Sequence, residues 1–566
     1  MNALDYIVLL GALLGVALYG IWRTRGRQDL RGYLKGDGQT RWFVIGLSVI
    51  ATQASATTFL SIPGQGYQDG LGFVQNYFGG PFAMILIAAV FLPIFRRLNV
   101  FTAYEYLGRR FDAKTRLLGA ALFLTQRGIG AALTIYAPAI VLSGVFGWPL
   151  NLTIIGSGLV CVAYTVAGGS DAVRLTQKYQ MGIIFAAMLA AVFLLLAKLP
   201  AGLGLGGALT LAGDFHKLQA VDFSPNLHTR YTFWSGTIGG FFLALSYFGT
   251  DQSQVQRYIS GASLRESRLG LMFHAVCKIP MQFFILLFGV LLFVFYQFET
   301  PPVYFNQPVW QSHSADVTKA PEAEFAAAHA EEHAQLETWV AARQSGDTAR
   351  AQAALTAAEA AEQHAEAVRD QVKNTLAKEP GAKGNDTDYI FITFILDYLP
   401  HGIIGLLVAS FFAAALNSKA AELNALASST TVDFYRHLVK RDATDRHYVI
   451  ASKWFTAFWG LFAIVAAVFA NLVENIVQAA NIVGSLFYGA VLGLFLLAFF
   501  TRRVSGTAAF WGAVAAQALV LACYYTLDIS YLWYNLIGPA LCVLFSFLLQ
   551  AMLGFAPRTP AAPAAP

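Results

Sequence analysis

Residues 42–67 read WFVIGLSVIATQASATTFLSIPGQGY, and this stretch decides the fold. Its flanks are apolar enough for a bilayer, but its middle carries Thr52, Gln53, Ser55, Thr57 and Thr58, with Pro63-Gly64 beyond. Backbone that leaves a helix inside a membrane is tolerated only where it lines a cavity or is buried in protein. A second interrupted stretch, TFWSGTIGGFFLALSYFGTDQSQVQRY, begins at Thr232, holds Gly236, Gly239 and Gly240, and ends in polar residues. The two lie five spans apart and so cross the membrane in opposite directions. That pattern points to an inverted-repeat secondary transporter, with its solute site at mid-membrane between the repeats.

The whole chain fits this setting. Its 566 residues are 56% hydrophobic and 13% charged, whereas a soluble domain carries about 25% charged residues. A disordered chain, a collagen-like fibre and an ordinary cytosolic enzyme are excluded. An α-helix needs about 20 apolar residues to span a bilayer. By that rule the sequence predicts thirteen spans, at 3–22, 42–65, 74–95, 117–145, 150–168, 178–198, 232–250, 268–297, 402–430, 448–471, 475–500, 506–526 and 530–553. Cys161, Cys277, Cys523 and Cys542 all fall inside apolar runs and read as small packing residues.

Charge sets the expected topology. The first span lacks a basic leader, and Arg23, Arg25, Arg27, Arg31 and Lys35 follow it, which places the N-terminus outside and the C-terminus in the cytoplasm. The loops then counted as cytoplasmic, such as RRLNVFTAYEYLGRRFDAKTR, GGSDAVRLTQK and YRHLVKRDATDRH, are basic. This is a topology signal of a multi-pass protein of the plasma (inner) membrane, with lipid as its surroundings, and not a nucleic-acid footprint. One insert departs from it. Residues 305–388 hold 14 Asp and Glu against 7 Lys and Arg, and are rich in Ala, Glu and Gln around Ser345-Gly346-Asp347. Strong helix formers on either side of a turn predict an external helical hairpin, with a surface for a further partner. Within it His329, His333 and Glu337 share a helix face, read as a solvated polar face or, alternatively, a surface metal site.

These features divide the chain into an N-terminal helix with a basic loop (1–41), a first repeat (42–198), and a second repeat (232–500) that contains the hairpin. Two accessory spans (506–553) and a disordered Pro/Ala tail (554–566) follow. The motifs carry a family resemblance. SVIATQASATTFLSIPGQGY, FLPIF followed by TAYEYLGRRF, IYAPAIVL, YTVAGGSDAV, DQSQVQRY and LNSKAAELNALASSTTVDFY resemble the sodium:solute symporter family, in its order and spacing from about residue 42 to 503. DQSQVQRY and the LN…DFY helix are the most specific. The resemblance implies an all-α polytopic membrane protein with a leucine-transporter-like 5+5 inverted repeat. It also implies sodium-coupled import of a small polar solute by alternating access: a sugar, an acidic sugar or a carboxylate. A proton-coupled or sodium-independent carrier of the same fold and a transporter-like solute sensor stay open. No catalytic motif marks an enzyme.

Sodium is a hard cation that takes oxygen ligands. By the resemblance these are the carbonyls of Ala51, Ala54 and Ala414, with side-chain oxygens of Asn417 and Ser418. Relatives often have Thr-Asp where this chain has Thr176-Gln177, which implies one sodium per cycle. Lys419 and Glu422 stand beside this site as an internal ion pair or, in a sharper reading, as the basis of proton coupling. The resemblance also places Asn76, Tyr77 and Gly80 at the solute, with Thr58, Asp251, Gln478 and Asn481 as hydrogen-bonding contributors and Lys278 as a candidate charge. Tyr77 stands where a galactose carrier has a glutamate, which argues against galactose. Arg127 lies about 15 Å inside its span, at 1.5 Å per residue. So deep an arginine costs about 3 kcal/mol or more unless it meets a partner. Asp251 or backbone carbonyls are one such partner, and a solute carboxylate is the other.

Overall fold

The computed structural model describes residues 2–24, 40–98, 100–378, 386–469 and 476–554. The basic stretch 25–39, the loop 470–475, the tail from 555 and the side chains of Thr176, Gln177 and Asn417 lie outside it, with the readings placed on them.

Apolar runs become helices throughout: α1 (Ala3–Thr24), α2 (Trp42–Gln53), α3 (Ala56–Asp69), α4 (Gly80–Leu86), α5 (Leu92–Leu98), α6 (Tyr104–Arg110), α7 (Ala113–Phe146) and α8 (Leu150–Ala197). After α9 (Gly204–Asp214) come α10 (Gly240–Thr250), α11 (Gln252–Ile259) and α12 (Leu264–Phe298). The hairpin is α13 (Ala315–Ser345) and α14 (Thr348–Leu376). Then follow α15 (Ile390–Tyr398), α16 (Ile403–Ser429), α17 (Asp445–Phe469), α18 (Ile476–Phe500), α19 (Gly506–Thr526) and α20 (Tyr534–Leu553). Among the described residues, eight helical runs are long and apolar enough to cross a membrane, with four shorter apolar stretches beside them.

The first break falls where the polar residues predict it. Thr52 Oγ1 donates back to the Ser48 carbonyl at 2.7 Å, a bond that loosens a helix. Ala54 then leaves helical geometry (φ −81°, ψ 70°), Ser55 is extended, and α3 starts at Ala56. The carbonyls so released are answered by side chains: Thr58 Oγ1 reaches Gln53 O at 3.3 Å and Ser418 Oγ reaches Thr52 O at 3.2 Å.

The second break corrects the sequence reading. Gly236 and Gly239 sit in a π-helical turn, Ser235–Gly239, that does not interrupt the run into α10. A Cβ on Gly236 or Gly240 would strike the carbonyls of Gln75 or Asn76, so these glycines serve close helix packing. The chain breaks instead at Asp251 (ψ 121°), which caps α11 by accepting Ser253 N–H at 2.8 Å. Tyr104 and Tyr258 hydroxyls satisfy the Thr250 and Phe248 carbonyls at 3.0 and 2.9 Å.

Residues 150–197 are helical (α8), and the apolar stretches Leu150–Val166 and Met181–Ala197 fall where two spans are expected, with the side chains between them outside the described set. Both apolar stretches pack on the bundle, Val162 against Gly460 and Phe185 edge-on to Phe59.

The hairpin forms as predicted. Gly346 supplies the positive φ (76°) that ends α13, and Asp347 caps α14 by accepting Arg350 N–H at 3.0 Å. It is no loose appendage. Arg369 is buried, donates to the Pro302 carbonyl at 2.7 Å and the Tyr67 hydroxyl at 3.5 Å, and stacks over Phe305 and Phe325. The expected solvated face is corrected at one residue: His329 is buried and bonds Glu332 at 3.2 Å, while His333 is half-buried and Glu337 exposed. No group of three His, Cys, Asp or Glu fit for a metal exists among the described residues.

Under the hairpin, half-buried Glu362 faces Glu366, Glu332, Lys217 and Arg369. Burial first, then the neighbouring carboxylates Glu366 and Glu332, push its carboxyl up to about 7, with Lys217 and Arg369 opposing. A carboxyl whose pKa is raised on folding stabilises the fold below its unfolded value and loses that effect as pH rises through the folded one. Hydrogen-exchange protection of α14 should therefore increase as pH falls from about 7 toward 4.5, and Glu362→Gln should flatten that dependence. An unchanged pH profile in the variant would refute the assignment.

Candidate functional site

The first break opens onto a cavity of about 150 Å³, with the second break, at Asp251, held behind its wall. A dry cavity of about this volume holds one benzene-sized molecule. Ser55 and Thr58 reach it from the first break, and Asn76, Tyr77 and Gly80 from the turn into α4. Gln126, Arg127 and Thr134 come from α7, and Tyr247 from α10. His274 and Lys278 come from α12, Ser418 and Glu422 from α16, and Asn481 and Tyr488 from α18.

The cavity wall is organised by a chain of four buried charges. Arg127 donates to Asp251 from both Nε and Nη2, the former at 3.1 Å, and from Nη1 to Glu422 at 3.3 Å. Its Nη2 also meets the Tyr488 hydroxyl at 2.9 Å, and its guanidinium lies over the Tyr247 ring. Glu422 passes the charge on, accepting Thr134 Oγ1 and Lys419 Nζ at 3.0 Å each. Lys419 finishes on the Ala131 carbonyl at 3.3 Å. Two cations and two anions alternate, so the chain is neutral. The expected partner of Arg127, Asp251, is therefore in place, and the Lys419–Glu422 pair is closed.

Lys278 stands apart. It is 5% exposed, donates to Gln282 Oε1 at 3.1 Å and sits 4.9 Å from the centre of the Tyr77 ring. Gln282 in turn donates to the Tyr77 hydroxyl at 3.0 Å. Among the described residues no carboxylate comes within ion-pair distance of Lys278. Asn76 Oδ1, Thr57 Oγ1 and Gln126 Oε1 are buried nearby without a partner.

Of the sequence candidates, Thr58, Asn76, Tyr77, Gly80, Arg127, Lys278, Asn481 and Ser418 line the cavity. Two do not. Asp251 is held behind Arg127 and Tyr488, with the Tyr488 hydroxyl donating to it at 3.1 Å. Gln478 is engaged away from the cavity by Gln65 at 2.7 Å and Arg230 at 3.2 Å. Ala51, Ala54 and Ala414 are buried where α2, α3 and α16 meet. There the Thr52 carbonyl and the Ser418 hydroxyl are 3.2 Å apart. Sequence reasoning missed Tyr488, Tyr247, His274 and Gln126, and took Glu422 only as the partner of Lys419. A tyrosine in an apolar run reads as packing, and nothing local says which way it faces.

The chain is similar to known proteins along most of its length. Residues 33–313 and 368–516 match the model of the sodium:solute symporter family, and the gap between the two matched ranges holds most of the hairpin. The human sodium-coupled monocarboxylate transporter 1 is 28% identical over 520 residues, 91% of this chain and 72% of that protein. The sodium/sialic acid symporter SiaT of Proteus mirabilis (strain HI4320) is 26% identical over 544 residues, 94% and 92% of the two chains. A solved Na+-coupled sialic acid symporter, in a substrate-bound outward-open state, superposes with a TM-score of 0.75 at 24% identity, covering 98% of this chain and 99% of that one. That likeness shows the fold.

Removing one partner of a buried ion pair strands the other, at a cost of about 3–5 kcal/mol. Asp251→Asn should therefore lower the melting temperature of the purified protein strongly. Tyr488→Phe, which removes a hydroxyl shared by Arg127 and Asp251, should cost only about 1 kcal/mol. Equal melting temperatures for Asp251→Asn and wild type would show that the chain of charges does not hold the fold.

Proposed function

The chain belongs to the sodium:solute symporter family and is a membrane-embedded sodium-coupled symporter, and from that premise we propose that its solute is a small organic anion, a monocarboxylate held by Lys278. The observation that carries this reading is the charge balance of the cavity. Arg127 and Lys419 are neutralised by Asp251 and Glu422, while Lys278 faces the same space with no described carboxylate at hand. A buried unpaired ammonium costs several kcal/mol, which an incoming carboxylate offsets. Tyr77 and Gln282 fix the ammonium, and Asn76 and Thr57 offer unpartnered polar atoms to the rest of the solute. Both relatives named above carry an acid in their names. The cavity volume favours the smaller class, and a sialic acid needs a wider site. Arg127 has its Nε, Nη1 and Nη2 groups committed to the protein, so the solute carboxylate is better served by Lys278.

The coupling ion is sodium, and we place it at the first break. The Thr52 carbonyl and the Ser418 hydroxyl support that position, with the carbonyls of Ala51, Ala54 and Ala414 and the side chain of Asn417 completing the set. One helix, α16, then carries an ion ligand at Ser418 and a cavity group at Glu422, one turn apart, which gives ion and solute a shared element to bias. The positive-inside rule orients the basic loops, from Arg96 to Arg116 and 435–447, toward the cytoplasm and the hairpin outward in the plasma membrane.

Proteoliposomes of the purified chain under an inward sodium gradient test the reading. Labelled lactate should accumulate, and Lys278→Gln should raise its KM about tenfold or more at normal protein yield. Ser418→Ala should weaken sodium dependence while leaving Lys278 in place. Accumulation of a neutral sugar but no acid would remove the anion. Uptake driven by a pH gradient in sodium-free buffer would transfer the coupling to a proton, and lactate binding without flux would make the protein a sensor.

A further inference from the structure

Beyond the cavity, toward the basic end, lies a second set of polar groups that the site does not use. Arg257, on α11, is 2% exposed, and its Nε and Nη2 have no partner. No carboxylate among the described residues lies within ion-pair distance of it. On α16, Asn424 is buried with both amide atoms unpartnered, and Ser428, one turn on, has an unpartnered hydroxyl. Thr431, just past the end of α16, repeats this. Gln254, one turn before Arg257, gives its N–H to the cavity residue Tyr247 at 2.6 Å and leaves Oε1 without a donor.

These groups lie on two elements that pack together and leave the cavity in the same direction. α11 starts at Asp251, and α16 passes Ser418 and Glu422 of the cavity wall before it reaches Asn424. Both arrive at the basic segment 96–116: just past α11 the Gly261 carbonyl accepts Arg96 Nη1 at 2.7 Å, and past α16 Asp433 accepts Thr102 Oγ1 at 2.9 Å. The polar set therefore fills the interval between the cavity and the basic end. A buried polar atom without a partner costs about 1–3 kcal/mol, and an unpaired guanidinium costs more. The interval is built to be satisfied by something that enters it. A guanidinium fork with amide and hydroxyl groups beside it matches a carboxylate.

We infer that Arg257, Asn424, Ser428 and Thr431 form a second anion station between the cavity and the basic end, where the solute carboxylate rests after leaving Lys278. The inference rests on the solute being an anion, but its test does not require flux. In a chain whose four cysteines are replaced, and which still takes up lactate or at least elutes as a single folded species, Ser428→Cys serves as a reporter. A negatively charged and a positively charged methanethiosulfonate are applied to the basic end, each rate being normalised to that of a free thiol. The anionic reagent should react about tenfold faster, as a focused positive field predicts. Arg257→Lys should keep that preference and Arg257→Gln should abolish it. Should Arg257→Gln fail to fold, Asn424→Asp, which sets a carboxylate within the same polar set, should reverse it. A reporter inert to both reagents with and without sodium and lactate, or a preference indifferent to these substitutions, overturns the station. Charge preference without lactate uptake keeps the station and removes only the solute assignment.

Discussion

The fold depends on one interaction, the grip of Arg127 on Asp251. Asp251 is the residue at which α10 ends and α11 begins, so the backbone break in the second repeat is pinned by a charge from α7. The same guanidinium reaches Glu422 and, through it, Lys419 on α16, the helix that closes the other break through Ser418. Three separate segments are thus fixed by one alternating row of charges in a low-dielectric interior. Each ion would be costly alone, and together they cancel. Breaks in helices need such anchors, because the released carbonyls and N–H groups have no water to turn to.

Much of this was legible in the residues. The first break is written in TQASATT, where hydroxyls can bond backward and sideways to carbonyls, and the hairpin turn is written in Ser345-Gly346-Asp347. That Arg127 needs a partner follows from the expense of an arginine at depth, and Asp251 is one of the partners expected. What could not be read has a common cause. Gly236, Gly239 and Gly240 look like a helix breaker, yet their role is set by the carbonyls of Gln75, Asn76 and Leu532, which come from distant parts of the chain. Tyr488 and Gln478, ten residues apart on α18, differ in which of them faces the cavity because α18 has two sets of neighbours. Local chemistry specifies that a polar group needs a partner, and only the packing of remote helices specifies which.

The polar groups also sort by whether they are satisfied. Those that hold the breaks have short, complete bonds: Tyr104, Tyr258, Thr52 and Asp251. Beside the cavity some groups are left incomplete: Asn76 Oδ1, Thr57 Oγ1 and Gln126 Oε1 line it without a partner.

The hairpin has a mechanical consequence. At one end Arg369 ties it to Tyr67 near the C-terminal end of α3, and at the other Gln344 lies against Gly202. Between these points Lys217 bonds the Gln68 carbonyl at 2.7 Å, and its own carbonyl accepts Leu71 N–H at 2.9 Å. The end of α3, the segment around α9 and the hairpin are laced into one block. α3 cannot swing away alone, because the whole block would have to travel with it. The widening that admits a solute from that side must then fall to helices outside this block, such as α10. The molecule thereby divides into a stator and a rotor, and the break at Asp251 is the bearing between them.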